Sequence, residues 1–338
     1  MLKVAVVGAG VIGLTTALEV QKKLGHRVAV TIYTSDVSPN TTGDVSAGLW
    51  TPYLLQETPE TDVMRWSKVM HDYIHDLWKT GFAEEAGISL QSMIHLITDA
   101  NEKLPGWGNI AFGFTELTRK QLDQLGSEHK KYYAGGFTFV SFTCEPCKLL
   151  PFLQKQFLSN GGELIMRKVY DLEEFAGKHE IVVNCAGLGA QDLLGDKQMQ
   201  AIRGQVARVR APWQFNTIME GENYIIVNMD CVVLGGTHQE NDFDLSPKDE
   251  DKRHILNGCC NLVPSLQKSE VLKHMVGLRP GRPKVRIEME RKIVNGKPMI
   301  IVHNYGHGGS GVTLCVGCAK DACQLVQEGV STICKSKL

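Results

Sequence analysis

The chain has 338 residues, 43% of them hydrophobic and 22% charged, and a formal net charge of −1. That balance is ordinary for a globular protein and excludes a disordered chain, while near-neutrality offers no broad electrostatic footprint for nucleic acid or anionic lipid. With no apolar run near the ~18 residues of a spanning helix, neither nucleic acid nor membrane is an expected partner.

The length exceeds one typical core, so two domains are expected, either of them free to be discontinuous. The first residues already read as a strand, which leaves no room for a signal peptide. Val4-Ala5-Val6-Val7 is short, apolar and β-rich, and Thr15-Thr16-Ala17-Leu18-Glu19-Val20 continues as a helix. Between them Gly8-Ala9-Gly10-Val11-Ile12-Gly13 falls at a strand-to-helix turn, the context that a dinucleotide-binding glycine motif requires. Gly8 permits the tight turn, Gly10 lets a pyrophosphate approach the backbone at the helix N-terminus, and Gly13 permits close helix packing. Val28–Tyr33 reads as the second strand, and Asp36 follows near where a ribose-binding carboxylate is expected, with Ser35 as the alternative.

From 61 to 80, Val63, Trp66, Met70, Tyr73, Ile74 and Leu77 recur at helical spacing, which predicts a core-facing helix. Residues 163–166 and 180–184 look like parallel-sheet strands, and short strands at 224–227 and 232–234 suggest a second, antiparallel layer. Cys144-Glu145-Pro146-Cys147 and Cys315-Val316-Gly317-Cys318 have zinc-ligand spacing, but the second pair sits in an apolar stretch entering a helix. Buried free thiols are the expectation, and no metal site. The strand at 299–302 precedes a glycine cluster and another helix, so two cofactor-like turns three hundred residues apart imply an interleaved domain.

That cluster, His303-Asn304-Tyr305-Gly306-His307-Gly308-Gly309-Ser310-Gly311, is too glycine-rich for a helical metal site. Its backbone can instead lie close against a flat ligand. Leu278-Arg279-Pro280-Gly281-Arg282-Pro283-Lys284-Val285-Arg286 gathers three guanidinium groups, each suited to a two-pronged grip on a carboxylate. Arg286, entering a strand, is the expected clamp, while at least one of Arg279 and Arg282 is expected in a solvated turn or an internal ion pair.

Over nearly its full length the chain resembles the D-amino-acid oxidase and D-aspartate oxidase family. The resemblance is carried by Val6–Leu14, Asp44-Val45-Ser46-Ala47-Gly48-Leu49-Trp50, Arg203-Gly204-Gln205, Ala211-Pro212-Trp213, Leu234-Gly235-Gly236-Thr237, Gly277-Leu278-Arg279-Pro280 and His303–Gly309. It implies an α/β fold: a Rossmann-like FAD-binding domain (1–53, 144–190 and 280–338) interleaved with a substrate domain (54–143 and 191–279) that contains a mostly antiparallel sheet. Carried across by position, Arg286 holds the substrate carboxylate and Tyr224 donates a second hydrogen bond to it. The Gly309 carbonyl receives the amine, with Ser310 beside it among the catalytic positions. Thr41, Thr42, Gly48, Leu49, Val169 and Gly308, Gly309, Ser310, Gly311, Val312 and Thr313 correspond to positions around FAD. The family's acidic residue after the second strand aligns with Ser35, Asp36 being displaced by one.

The implied reaction moves a hydride from Cα of a D-amino acid to the flavin, yielding an imino acid that hydrolyses to a 2-oxo acid and ammonia, and oxygen is reduced to hydrogen peroxide. An acidic side chain needs a second cation, since burying an unpaired carboxylate is costly. Relatives selective for D-aspartate have arginine after Leu-Gly-Gly-Thr, where this chain has His238: protonated it can serve, neutral it is an ordinary pocket histidine. The wider resemblance points to D-aspartate, whereas Leu49–Tyr53 and Gly308-Gly309 look more like the neutral-substrate branch. Ser336-Lys337-Leu338 reads as an address for the peroxisomal import receptor, which places the expected protein in the peroxisomal matrix.

Overall fold

The computed structural model describes residues 1–53 and 55–336. Of the expected carboxyl-terminal address, Lys337, Leu338 and the side chain of Ser336 lie outside the described residues. β1 (Leu2–Val7) carries four consecutive buried residues, as a strand covered on both faces must. It turns at Gly8 into α1 (Val11–Leu24), and β2 (Val28–Thr34) returns parallel to β1 with Val30 opposite Val4. The short α2 (Thr42–Val45) precedes α3 (Glu60–Lys79), which buries Val63, Trp66, Met70 and Ile74 on one face. Tyr73 and Leu77 are partly covered by the same core.

β3 (Ile88–Ile97), β4 (Phe112–Glu116), α4 (Arg119–His129) and β5 (Gly135–Cys144) begin a second sheet. α5 (Pro146–Ser159), β6 (Glu163–Met166) and β7 (Ile181–Asn184) return to the first, and α6 (Ala190–Leu194) leads out again. β8 (Gln200–Arg210), β9 (Thr217–Glu220), β10 (Asn223–Val227), β11 (Val232–Gly235), β12 (Gln239–Glu240), α7 (Asp249–Leu262) and β13 (Glu270–Gly281) complete the second layer. β14 (Arg286–Val294), β15 (Lys297–Tyr305) and α8 (Gly311–Ser336) belong to the first.

The six-stranded sheet has the order β14-β15-β7-β1-β2-β6 and is parallel except where β14 meets β15. The nine-stranded sheet runs β12-β8-β11-β10-β9-β3-β5-β4 with β13 also on β8, and is antiparallel except where β3 meets β9. This is the α/β architecture with one mostly antiparallel layer. α3 comes from a segment assigned by sequence to the substrate half, yet it packs on α8. A Cβ at Gly317 would lie 2.4 Å from the Trp66 Cα, and the Trp66 indole donates to Asp321 Oδ2 at 2.8 Å.

All ten thiols are free. Cys315, Cys318 and Cys323 lie buried on α8, while Cys147 on α5 is exposed. Among the described residues no helix is long and apolar enough to cross a membrane. Arg203 on β8 is wholly buried and fully engaged: Nη1 donates to Asp251 Oδ2 (2.6 Å), Nε to the Asp244 carbonyl (2.7 Å) and Nη2 to the Ser246 carbonyl (2.8 Å). Charge buried with this much compensation ties the 244–251 segment to the sheet.

His71 of α3 is 3% exposed and packs among Trp50, Phe112 and Phe142, with ring centroids at 4.9, 5.0 and 5.2 Å. Burial lowers its pKa to about 4. Above the ordinary imidazole value it is neutral in both folded and unfolded chains and contributes no pH dependence. Between there and about 4, the unfolded chain takes up a proton that the folded one refuses, so stability falls with falling pH. His71→Phe is expected to recover about 1 kcal/mol at pH 5.5 relative to pH 7.5 and so flatten the fall in Tm over that interval, as read by thermal melts.

Candidate active site

The two sheets enclose a cavity of about 1050 Å³. At one end stands the β1–α1 turn. Gly8 adopts φ +105°, and a Cβ at Gly13 would lie 1.9 Å from the Gly8 carbonyl oxygen, so the first turn of α1 packs directly onto the loop. A Cβ at Gly10, by contrast, would meet nothing within 4 Å: this is where the cavity reaches the helix N-terminus. Gly8, Ala9, Gly10, Val11 and Ile12 line the wall, and Gly13 works from behind it.

The end of β2 delivers Ser35 and Asp36 to the same wall. The Thr34 hydroxyl accepts from Ala9 N (3.2 Å) and donates to the Asp36 carbonyl (2.7 Å), fixing the strand end to the glycine turn. Ser35 Oγ donates to Asp36 Oδ2 at 2.7 Å, so the carboxylate, with a hydroxyl attached, is the polar group offered there. Thr41 and Thr42 open α2, where Thr41 Oγ1 donates to Asp44 Oδ2 (2.7 Å), and both line the cavity with Gly48, Leu49 and Val169. Gly48 (φ +75°) accepts from Cys144 N at 2.8 Å, and a Cβ there would be 1.9 Å from the Cys144 carbonyl.

The glycine loop after β15 forms another face: Gly308, Gly309, Gly311 and Val312 line it. Ser310 and Thr313 do not. Ser310 is fully buried, its hydroxyl accepting from Tyr53 N and donating to the Tyr53 carbonyl, both at 2.6 Å, and Thr313 Oγ1 donates to the Thr51 carbonyl at 3.0 Å. Both hydroxyls are spent holding residues 51–53 to the start of α8. Ser310 therefore stands behind the site and not in it, and it presses Tyr53 over Gly309, where a Cβ would lie 2.4 Å from the ring. Beside this loop His307 Nε2 and Asn304 Oδ1 are buried with no hydrogen-bond partner among the described residues. Burial takes the His307 pKa down to about 3, so its ring is neutral.

At the far end the nine-stranded sheet presents one cross-strand row: Gly235, Tyr224, Met219, His95 and Phe137, each opposite the next. All but Gly235 line the cavity. Tyr224 lies over the bare Gly235-Gly236 backbone, since a Cβ at Gly235 would fall 2.0 Å from its Cζ. Burial raises the Tyr224 pKa, partly offset by Arg279, so the phenol is a proton-bearing donor. Tyr53 behaves alike: burial raises it, Arg279 opposes and the Glu222 carboxylate adds to the rise. His95 is stacked 4.9 Å from Phe137 with Nε2 3.3 Å from Glu102 Oε1, and burial lowers its pKa despite that carboxylate.

Arg286 is not on this wall. It opens β14 at the edge of the other sheet, opposite Tyr305 of β15. Its Nε donates to Glu288 Oε1 and its Nη1 to Tyr305 Oη, both at 2.6 Å. Arg282 is also paired, Nε to Asp196 Oδ2 at 3.1 Å. Of the three clustered guanidinium groups only Arg279 reaches the cavity, and among the described residues it has no carboxylate partner. It lies over Gly204, where a Cβ would be 2.5 Å from Nη1, donates to the Thr237 carbonyl at 3.1 Å, and sits close enough to influence both Tyr224 and Tyr53. The expected placement of Arg286 on the cavity wall is thus corrected: Arg279 stands there, and Arg286 is engaged by Glu288 and Tyr305. Gly277, Arg279 and Pro280 of β13, which runs through to Gly281, all line the cavity. His238 lines the cavity next to Thr237, its Nε2 3.5 Å from Glu240 Oε1. Tyr53, Met219, Glu222 and His95 went unassigned in the sequence because loop contacts and strand register bring them in.

A glycine turn open to the helix N-terminus, a carboxylate at the end of β2, a second glycine loop and orphaned polar atoms beside it fit a flavin dinucleotide. Residues 3–325 match the family model for FAD dependent oxidoreductases. The chain is 37% identical to a D-aspartate oxidase of Homo sapiens, covering 98% of this chain and 96% of that one. It is equally identical to a D-amino acid oxidase of Dugesia ryukyuensis, at 96% and 97% coverage. Among solved structures, glycine oxidase from Geobacillus kaustophilus superposes with a TM-score of 0.75 at 18% identity, covering 98% of this chain and 95% of that one, a likeness of fold. The cavity and the match along almost the whole chain agree: this protein belongs to the FAD-dependent oxidoreductases, in the family of the D-amino-acid and D-aspartate oxidases.

Proposed function

We propose that the chain oxidatively deaminates D-amino acids, giving a 2-oxo acid, ammonia and hydrogen peroxide, with D-aspartate-like acids preferred. The observation that carries this reading is Arg279, a cavity-facing guanidinium with no carboxylate partner among the described residues, flanked by two proton-bearing phenols. Charge kept there without an internal partner calls for one from the ligand. Arg279 takes the α-carboxylate through two parallel hydrogen bonds, Tyr224 donates a third, and the Gly309 carbonyl accepts from the amine. Three fixed points orient a chiral Cα and leave one hydrogen facing the cofactor. A flavin held there would supply the two-electron acceptor for the Cα–H and a route for those electrons to oxygen. Gly8, Gly10, Thr41, Thr42, Val169 and Gly308 are the positions that would hold it, with Asp36 offered to the ribose and the α1 N-terminus to the pyrophosphate.

Arg279→Met is expected to retain bound flavin, seen as yellow absorption, while KM for every D-amino acid rises roughly a hundredfold or more, equivalent to about 3 kcal/mol. Unchanged KM would remove the clamp assignment.

For the side chain, His238 supports an acidic preference, because the Thr237 carbonyl that precedes it is bonded to Arg279, setting an imidazole on the cavity wall close to the guanidinium. A neutral preference has its own support in Met219, Trp107 and Phe137 on the distal wall and in the carboxylate of Glu222. Initial peroxide rates over D-aspartate, D-glutamate, D-alanine, D-proline, N-methylglycine and the L-isomers separate the two. On the acidic reading His238→Ala lowers kcat/KM for D-aspartate about tenfold and leaves D-alanine nearly unchanged; equal rates for both substrates in the variant and the parent would favour the neutral one.

Ser336-Lys337-Leu338 supports a peroxisomal location, where peroxide is removed as it forms. A fluorescent protein bearing the last ten or so residues is expected in peroxisomes, and diffuse once Leu338 is deleted.

A further inference from the structure

Arg286, set aside as a clamp, belongs to a polar relay behind the glycine loop. Four residues from four segments meet there: Asp196 between α6 and β8, Arg282 between β13 and β14, Arg286 on β14 and Tyr305 at the end of β15. Tyr305 is 1% exposed and contributes to the cavity wall, yet its hydroxyl is spent on the relay. It donates to Asp196 Oδ2 at 2.8 Å and accepts from Arg286 Nη1 at 2.6 Å. The Arg286 guanidinium also lies 5.6 Å from the Tyr305 ring centroid. Asp196 accepts in addition from Arg282 Nε at 3.1 Å and Gln198 N at 3.0 Å. Burial pushes the Asp196 carboxyl up, but these donors outweigh it and hold the group below its usual range.

The loop that follows Tyr305 needs such fixing. Gly306 and Gly308 stand at φ +86° and +54°, and glycine backbone is the costliest to order. The Arg282 stem fills the space beside Gly306, where a Cβ would be 2.9 Å away, and Gly308 N donates to the Pro280 carbonyl at 2.9 Å. One end of the loop is therefore anchored through Tyr305, and its middle is tied to the strand end that carries Arg279. Asp196 adds a tie to the α6–β8 crossover, where the chain leaves the cofactor sheet for the substrate sheet.

We propose that Arg286–Tyr305–Asp196 is a positioning relay: it holds residues 306–309 in the shape that receives the flavin, and Arg286 acts on the cofactor through Tyr305 without touching substrate. The relay rests on the flavin lying against the glycine loop, as in the function proposed above.

The test strips the full-length protein of flavin and titrates FAD back, following the quenching of flavin fluorescence, for the parent, Tyr305→Phe, Arg286→Met and the double variant. Each single change is expected to raise the FAD Kd about tenfold, the size expected for a hydrogen bond to a charged group, and the double change no further than the larger single one, because both cut the same relay. Arg286→Lys should recover part of the loss. At saturating FAD the KM of Arg286→Met for D-alanine should stay within about twofold of the parent, whereas a true carboxylate clamp would raise it about a hundredfold. A parental FAD Kd in Tyr305→Phe, simple multiplication of the two effects, or a large KM rise with intact flavin affinity would each overturn the relay. So would an apoprotein Tm that falls as far as the holoprotein Tm, since a merely structural contact lowers both. Should Tyr305→Phe fail to fold, the Arg286 pair alone decides by the same readings. Failure of the parent to turn over any D-amino acid would strike the proposed function and leave the FAD measurements standing.

Discussion

A single uncompensated guanidinium governs this molecule. Arg279 sits where the two sheets face each other, over the bare backbone of Gly204, with a carbonyl and two phenols for company and no acid among the described residues. A lone charge so placed raises the free energy of the empty protein, and an anion entering the cavity would lower it by pairing. Much of the surrounding design removes obstacles. Gly204, Gly235 and Gly309 each leave room for one functional side chain to lie flat against backbone: Arg279, Tyr224 and Tyr53 in turn. A methyl group at any of the three would occupy space those side chains already fill.

Arg203, also in the substrate sheet, makes the contrast. It is wholly buried, but Asp251, Gln239, Gln205 and two carbonyls satisfy it. The two arginines have the same chemistry and opposite jobs, and the difference lies in what the neighbouring segments supply. Arg203 fastens a loop. Arg279 has no carboxylate partner among the described residues.

The same distinction explains what could be read from the residues alone. The β1–α1 turn was legible because strand, glycines and helix are contiguous and each carries its own local signal. The parallel strands read at 163–166 and 180–184, and the two-layer α/β class, were legible from apolar runs of the right length. Choosing among Arg279, Arg282 and Arg286 was not, since the choice depends on where Asp196, Glu288 and Tyr305 fall after folding. The resemblance implied a catalytic place for Ser310, but its hydroxyl is consumed by Tyr53, a residue 257 positions away. Met219 and His95 reach the cavity through register between strands, and Glu222 through the turn between β9 and β10, which no single stretch of sequence displays.

The row of Tyr224, Met219, His95 and Phe137 crosses adjacent strands, and strands are spaced about 4.8 Å apart. It works as a graduated ruler laid along the pocket floor. A bulkier group at Met219 would take up cavity space one division along, and a smaller one at His95 would open space at another. Neither exchange touches Gly204 or Gly309, so the length of the cavity can be reset by one residue while the wall around Arg279 keeps its shape.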